Sequence, residues 1–197
     1  MPSSRSGFTL LDLEGRGGSI LQILTSYQGV RESFQKLCVG LGNFDGVHRG
    51  HQRLIRNLVD YARQRHGTAA IFTFEPHPAE VLHPETAPPL LLAPELKHRL
   101  IASLGVDLLL AVPFTREFSL LSPEAFVREV LCAAMEVAAV FVGYNYTFGH
   151  RGAGTPQTLR ELGARYGFAV EVVPPVVVDG RPVSSTLIRG LIAAGSV

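Results

Sequence analysis

His48 and His51 stand three residues apart in Gly-Asn-Phe-Asp-Gly-Val-His-Arg-Gly-His, residues 42–51. On a first helical turn that spacing places both imidazoles on one face, directed at one spot. The stretch follows the apolar run Leu37-Cys38-Val39 and opens a helical pattern. A strand that ends in glycines before a helix gathers free backbone N–H groups and a positive dipole end, and there phosphates bind. Gly42, Asn43, Phe44, Asp45 and Gly46 form the turn, and Gly50 lets a ligand approach the backbone. Taken alone, a His-x-x-His pair is better explained by a surface turn with incidental histidines. A zinc centre needs three or four ligands, and no cysteine pair has suitable spacing. Walker, Rossmann and Gly-x-Ser-x-Gly fingerprints are all absent.

Three further groups carry chemistry. In Val142-Gly143-Tyr144-Asn145-Tyr146-Thr147-Phe148-Gly149, Asn145 can donate to a phosphate without adding charge. Tyr146 and Phe148 offer faces for a flat ring, or else are core residues after a strand. In Val183-Ser184-Ser185-Thr186-Leu187-Ile188-Arg189, the hydroxyls suit a helix cap or a phosphate. Arg189, three residues past Thr186, returns along the same helical face. No Glu or Gln completes a capping box there. The fourth group is Phe72-Thr73-Phe74-Glu75-Pro76-His77-Pro78, in which His77 between two prolines reads as a loop residue with no assigned chemistry.

In combination these residues resemble the adenylyltransferase module of bacterial FAD synthetase, the bifunctional riboflavin kinase/FMN adenylyltransferase. His-x-Gly-His and Ser-Ser-Thr-x-x-Arg are similar to motifs of the wider nucleotidyltransferase superfamily. The resemblance spans residues 20–195 and implies an enzyme in which the FMN phosphate attacks the α-phosphorus of ATP, giving FAD and pyrophosphate. By it, residues Gly42, Asn43, Phe44, Asp45, Gly46, His48 and His51 bind ATP together with Ser184, Ser185, Thr186 and Arg189. His48 and His51 stabilise charge at the α-phosphate, while Ser185, Thr186 and Arg189 grip the leaving pyrophosphate. Asn145 positions the FMN phosphate, and Pro76, His77, Pro78, Tyr146 and Phe148 line the flavin site. Relatives often carry Phe where Leu82 stands, so one aromatic wall is expected to be missing. Mg2+ is expected with ATP, bridging phosphates without a firm protein ligand. Asp45 either holds one of its waters or braces the turn. The family continues into a riboflavin kinase domain, a partner expected in a longer parent chain; no Pro-Thr-Ala-Asn kinase signature occurs here. The alternatives are another nucleotidyltransferase of the superfamily and a non-catalytic nucleotide-binding domain.

The elements that must position these groups alternate. Strand-like runs fall at 36–41, 69–74, 107–112, 138–142 and 168–173, with a short β-type run at 20–24. Helical spacing covers 52–65 (closed by Gly67), 94–104, 123–134, 155–166 and 184–194, with Ser122 and Thr155 as caps before proline. This predicts an α/β domain over residues 20–195, a five-stranded parallel sheet with helices on both faces, and the resemblance implies that it is the Rossmann-like three-layer α/β/α nucleotidyltransferase fold. Ligands of such sheets bind beyond the carboxyl ends of the strands, where three of the four groups lie.

Composition sets outer bounds. The 197 residues, 46% apolar and 18% charged, describe one ordinary globular domain. A net charge of +1 gives no case for nucleic acid or membrane partners, so phosphate recognition must be local. Cys38 and Cys132 sit in apolar runs and read as free thiols, which suits a reducing cytoplasm. Residues 1–19, rich in Ser, Gly and Arg, read as a flexible leader without a signal-peptide core.

Overall fold

A computed structural model of the chain describes Leu13–Glu14 and residues 20–196. The rest of the expected leader lies outside the described residues. Strands β1 (Leu13–Glu14), β2 (Ile20–Leu24), β3 (Leu37–Leu41), β4 (Ala69–Phe74), β5 (Leu108–Val112), β6 (Val137–Gly143) and β7 (Ala169–Val173) form one sheet in the order β1-β2-β5-β4-β3-β6-β7. Only β1 runs antiparallel, against β2; the other six are parallel. The parallel sheet therefore has six strands where five were expected. The extra one is the five-residue run Ile20–Leu24, which lies against β5.

The inner strands are apolar throughout because helices cover both faces. On β3, Leu37, Val39 and Leu41 join one buried cluster and Cys38 the other, as the two-residue period of a strand requires. Gly40 permits the close seat of the helix that follows. A Cβ there would lie 2.8 Å from Ile71 and 3.1 Å from Leu54.

That helix, α2 (Arg49–Gln64), connects β3 to β4 and buries Leu54, Ile55, Leu58 and Ala62. At its end His66, not Gly67, takes the left-handed conformation, with φ 51°. Gly67 serves close approach instead, since a Cβ would stand 2.5 Å from the Lys36 carbonyl oxygen. A short helical turn α1 (Val30–Ser33) precedes β3, and α3 (Pro78–Leu82) and α4 (Pro94–Ser103) separate β4 from β5. Helix α5 (Pro123–Ala125) widens into π-type turns over Phe126–Ala134, and α6 (Pro156–Tyr166) leads to β7. Ser122 and Thr155 accept from the backbone N–H groups of Ala125 and Thr158, as caps worth about 1 kcal/mol each. A small hairpin, β8 (Val177–Val178) and β9 (Arg181–Pro182), precedes α7 (Ser185–Ala193).

Strand order reverses at β3. From there β4 and β5 extend to one side, β6 and β7 to the other. The loops after β3 and β6 diverge at this point and leave a crevice.

Candidate functional site

The crevice is a cavity of about 730 Å³, within the range of ligand sites. Loops after β3, β4, β5, β6 and β7 line it, together with the first turn of α7. Of the residues singled out in the sequence, Gly46 and Pro76 stand outside its wall. Pro76 borders a smaller adjoining hollow of about 260 Å³. Gly42, Asn43, Phe44, Asp45, His48, His51, His77, Pro78, Asn145, Tyr146, Phe148, Ser184, Ser185, Thr186 and Arg189 are all brought together.

His48 is the N-cap of α2, and its Nδ1 accepts from the backbone N–H of His51 at 3.4 Å. That bond fixes the tautomer of the neutral ring: the proton sits on Nε2, leaving one donor. The His48 and His51 rings stack, with centroids 3.6 Å apart and planes 19° from parallel. The second ring also meets Phe44, at 5.2 Å. Burial, and then the neighbouring His48, push His51 down to about 3. Burial also lowers His48, partly opposed by Asp45. Both rings are thus neutral near pH 7. His51 Nδ1 is buried and has no hydrogen-bond partner among the described residues. Gly50 makes room for the pair, because a Cβ would lie 3.1 Å from the His48 ring. Its service is to the imidazole, where the sequence suggested the ligand.

The turn from Gly42 to His48 is bent by left-handed residues, Phe44 at φ 51°, Gly46 at 83° and Val47 at 36°. Phe44 is fully buried and anchors the turn in the core under α2. Gly46 could not be another residue without strain, and a Cβ there would press on Leu91. Asp45 is 5% exposed. Its Oδ1 accepts from Leu91 N–H at 2.9 Å, and its Oδ2 accepts from Arg189 Nη2. Arg189 Nε donates to the Pro89 carbonyl at 2.8 Å, and Ser185 Oγ donates to the Asp45 carbonyl at 2.9 Å. Of the two roles open to Asp45, bracing is the one these contacts support. The α7 motif is thereby tied onto the β3 turn. Ser184 caps α7 by accepting from Leu187 N–H, and Thr186 is left exposed at the cavity wall.

Both carboxylate oxygens of Asp45 are thus engaged within the protein. Among the described residues no three His, Cys, Asp or Glu side chains converge on a common point.

His77 caps α3, its Nδ1 accepting from Ala79 N–H at 3.1 Å while its Nε2 meets the Asn43 amide at 3.0 Å. Thr73 Oγ1 donates to the Asn43 carbonyl at 3.1 Å, so β4 and the loop after it each hold the β3 loop at one point. His77 is a joint between loops, and burial lowers its pKa. Behind it, after β4, Glu75 accepts from the buried Lys97 at 2.7 Å and lies 2.9 Å from His98 Nε2. The peptide bond from Glu75 to Pro76 is cis.

The far wall is aromatic. Phe74 packs edge-to-face on Phe114 and Phe118, with centroids at 4.9 and 5.1 Å. Phe118 in turn meets Phe126, and Phe126 meets Phe148. Tyr146 and Phe148 are nearly parallel, 12° apart, and burial raises the Tyr146 hydroxyl. Phe148 is largely core, while Phe114 and Phe118 are half-exposed to the cavity. Neither of these last two was picked out in the sequence, because residues 113–121 carry no strand or helix period. The one available signal was the pair of phenylalanines four apart following a strand. They supply aromatic surface to the same cavity that Leu82 lines, where an aromatic wall was expected to be missing.

Comparison with known proteins follows the same outline. The family described as FAD synthetase matches residues 30–187. A bifunctional riboflavin kinase/FMN adenylyltransferase of Listeria monocytogenes is 39% identical over 160 residues, covering 81% of this chain and 50% of that protein. Its counterpart from Escherichia coli K12 is 32% identical over 174 residues, covering 88% of this chain and 56% of the relative. A crystal structure described as a macrolide-efflux protein from Streptococcus pneumoniae superposes with a TM-score of 0.77 at 28% identity, over 91% of this chain and 59% of that one. The chain spans about half the length of the curated relatives it matches.

Proposed function

The chain belongs to the FAD synthetase family, and from that premise we propose that it transfers the adenylyl group of ATP to FMN, giving FAD and pyrophosphate. One observation carries the reading. A single cavity has a neutral stacked histidine pair and a helix N-terminus on one wall and a run of aromatic rings on another. The first suits a triphosphate, the second a flat ring system.

In this reading an FMN phosphate oxygen bonds to the α-phosphorus while the bond to the β-phosphate oxygen breaks. Such a displacement needs alignment and charge stabilisation, with no covalent work from the protein. His48 donates through Nε2–H to the α-phosphate, and the free N–H groups at the start of α2 share the load. His51 fixes the His48 ring by stacking and presents its own ring to the phosphates. Ser184, Ser185, Thr186 and Arg189, braced by Asp45, meet the β- and γ-phosphates. Gly42, Asn43 and Phe44 shape the nucleotide end. Asn145 positions the FMN phosphate, and Pro78, Tyr146, Phe114 and Phe118 flank the ring. Magnesium, carried by the nucleotide, would neutralise phosphate charge.

The two free thiols support work in a reducing cytoplasm. No described helix is long and apolar enough to cross a membrane. Riboflavin kinase activity, which the relatives' names also carry, is no part of this proposal. Incubation with FMN and ATP, followed by chromatography of the flavins, tests it. FAD should accumulate, and unchanged FMN would contradict the reading.

A further inference from the structure

The protons around His77 can be counted. Its Nδ1 accepts from the backbone N–H of Ala79 at 3.1 Å, in the first turn of α3. A neutral ring then carries its single proton on Nε2, and that nitrogen must donate. Burial lowers the His77 pKa; among the charges around it, Asp45 and Glu80 raise it while Arg189 and Lys97 lower it further. The ring is therefore neutral near pH 7.

The Asn43 carboxamide stands 3.0 Å from Nε2, outlined with its Nδ2 nearest. Two N–H donors cannot face each other across that gap. The backbone N–H of Ala79 cannot turn over, so the ring keeps its tautomer. A carboxamide can turn, because its two ends have the same shape and the protons alone decide which end meets the ring. Oδ1 of Asn43 therefore accepts from His77 Nε2–H, and the NH2 group points away.

The rest of Asn43 is fixed as well. Its carbonyl accepts from the buried Thr73 hydroxyl at 3.1 Å. The end of the carboxamide turned from His77 has no hydrogen-bond partner among the described residues and is not buried. Asn43 lines the cavity on the same turn that leads to His48 and His51. Two N–H donors held there suit the oxygen of an anion, and a carbonyl oxygen in their place would repel it.

We propose that His77 is a positioning residue: it holds the Asn43 carboxamide with its NH2 group toward the cavity, where that group engages a phosphate oxygen of the nucleotide. This rests on the function proposed above. Asn43 makes the contact, and His77 acts through it.

Two substitutions separate the halves of the imidazole. Asparagine puts an acceptor where Nδ1 stands and nothing at Nε2, whereas glutamine puts an N–H donor near Nε2 and nothing at Nδ1. His77→Asn should melt close to the wild type, since the helix cap survives, yet raise the Kd for ATP about tenfold, the loss of one hydrogen bond to a charged group. His77→Gln should melt slightly lower and recover most of the ATP affinity. In Asn43→Ala, which has already lost the contact, adding His77→Asn should weaken ATP binding no further. FMN affinity should hold throughout. Nitrogen NMR of the ligand-free wild type should find the His77 proton on Nε2 and Nδ1 bare. A proton on Nδ1, an ATP affinity that survives His77→Asn, a full further loss on top of Asn43→Ala, or an equal loss for FMN would each overturn the assignment. A wild type that binds no ATP would instead overturn the function on which the nucleotide contact rests, and the tautomer, read without any ligand, tells the two failures apart.

Discussion

Arg189 donates through Nη2 to the buried carboxylate of Asp45, a residue 144 positions earlier, and so fastens the last helix to the turn after β3. The same guanidinium reaches the Pro89 carbonyl through Nε. Arg189 is therefore a structural brace as well as a candidate phosphate contact. The resemblance to the family assigns it only the grip on the leaving pyrophosphate. These contacts change that expectation.

Lysine cannot copy two directed bonds from one planar group. Arg189→Lys should lower stability by roughly 1.5–3 kcal/mol, the range for hydrogen bonds to charged groups, or several degrees in Tm. In the proposed enzyme kcat/KM for ATP should also fall about tenfold or more. Thermal melts with and without ATP, run beside kinetics, check both. A variant that melts like the wild type would show that the brace carries little.

The histidine pair should act on the transition state. Loss of one preorganised donor typically costs about 10²–10³ in rate. His48→Ala should lower kcat by that order while FMN affinity, set by other loops, stays put. His51→Ala should do the same, because His48 loses its stacking partner. Retention of most of kcat by either variant would remove the pair from the chemistry.

Acid should destabilise the protein through these same rings. His51 falls from its ordinary 6.5 to about 3 because burial, and then His48, disfavour its charged form. His48 shifts in the same direction through burial. The unfolded chain then takes up protons first. Stability present above about pH 6.5 is lost as pH falls toward 3, the His51 ring contributing up to about 1.4 kcal/mol per pH unit in that window and His48 acting in the same direction. His51→Gln, which cannot ionise, should flatten the Tm profile between about pH 6.5 and about 3. Parallel profiles for wild type and variant would count against the buried neutral ring.

The aromatic wall should divide by exposure. Phe114, half-exposed at the cavity, belongs to ligand binding; Phe126, at 4% exposure, belongs to the core. Phe114→Ala should weaken flavin binding by about 1 kcal/mol while changing Tm little. Phe126→Ala should cost about 3–5 kcal/mol of stability. The reverse pattern would show that the ring site lies elsewhere.

Local features were legible in the sequence because each rests on neighbours. His48 and His51 share a face through helical spacing, Ser122 and Thr155 cap before proline, and β3 lies within an apolar strand-like run. The missed features depend on distant partners. Ile20–Leu24 reads as a β-type run, but its place as a sixth strand of the parallel sheet depends on β5, which no local pattern shows. Phe114 and Phe118 follow β5 in an irregular loop, so only packing reveals their common wall. Gly67 looked like a helix cap, yet its real constraint is the Lys36 carbonyl, 31 positions earlier. The brace between Asp45 and Arg189 spans most of the chain, and no local pattern encodes it.

The most direct test of the proposed adenylyl transfer follows the transferred phosphorus. The protein is incubated with FMN and ATP labelled at the α-phosphate, and the flavin and nucleotide products are separated. The account predicts label in FAD, with one unlabelled pyrophosphate released for each FAD formed. Label that remains in AMP, ADP or ATP while FMN is unchanged would contradict it.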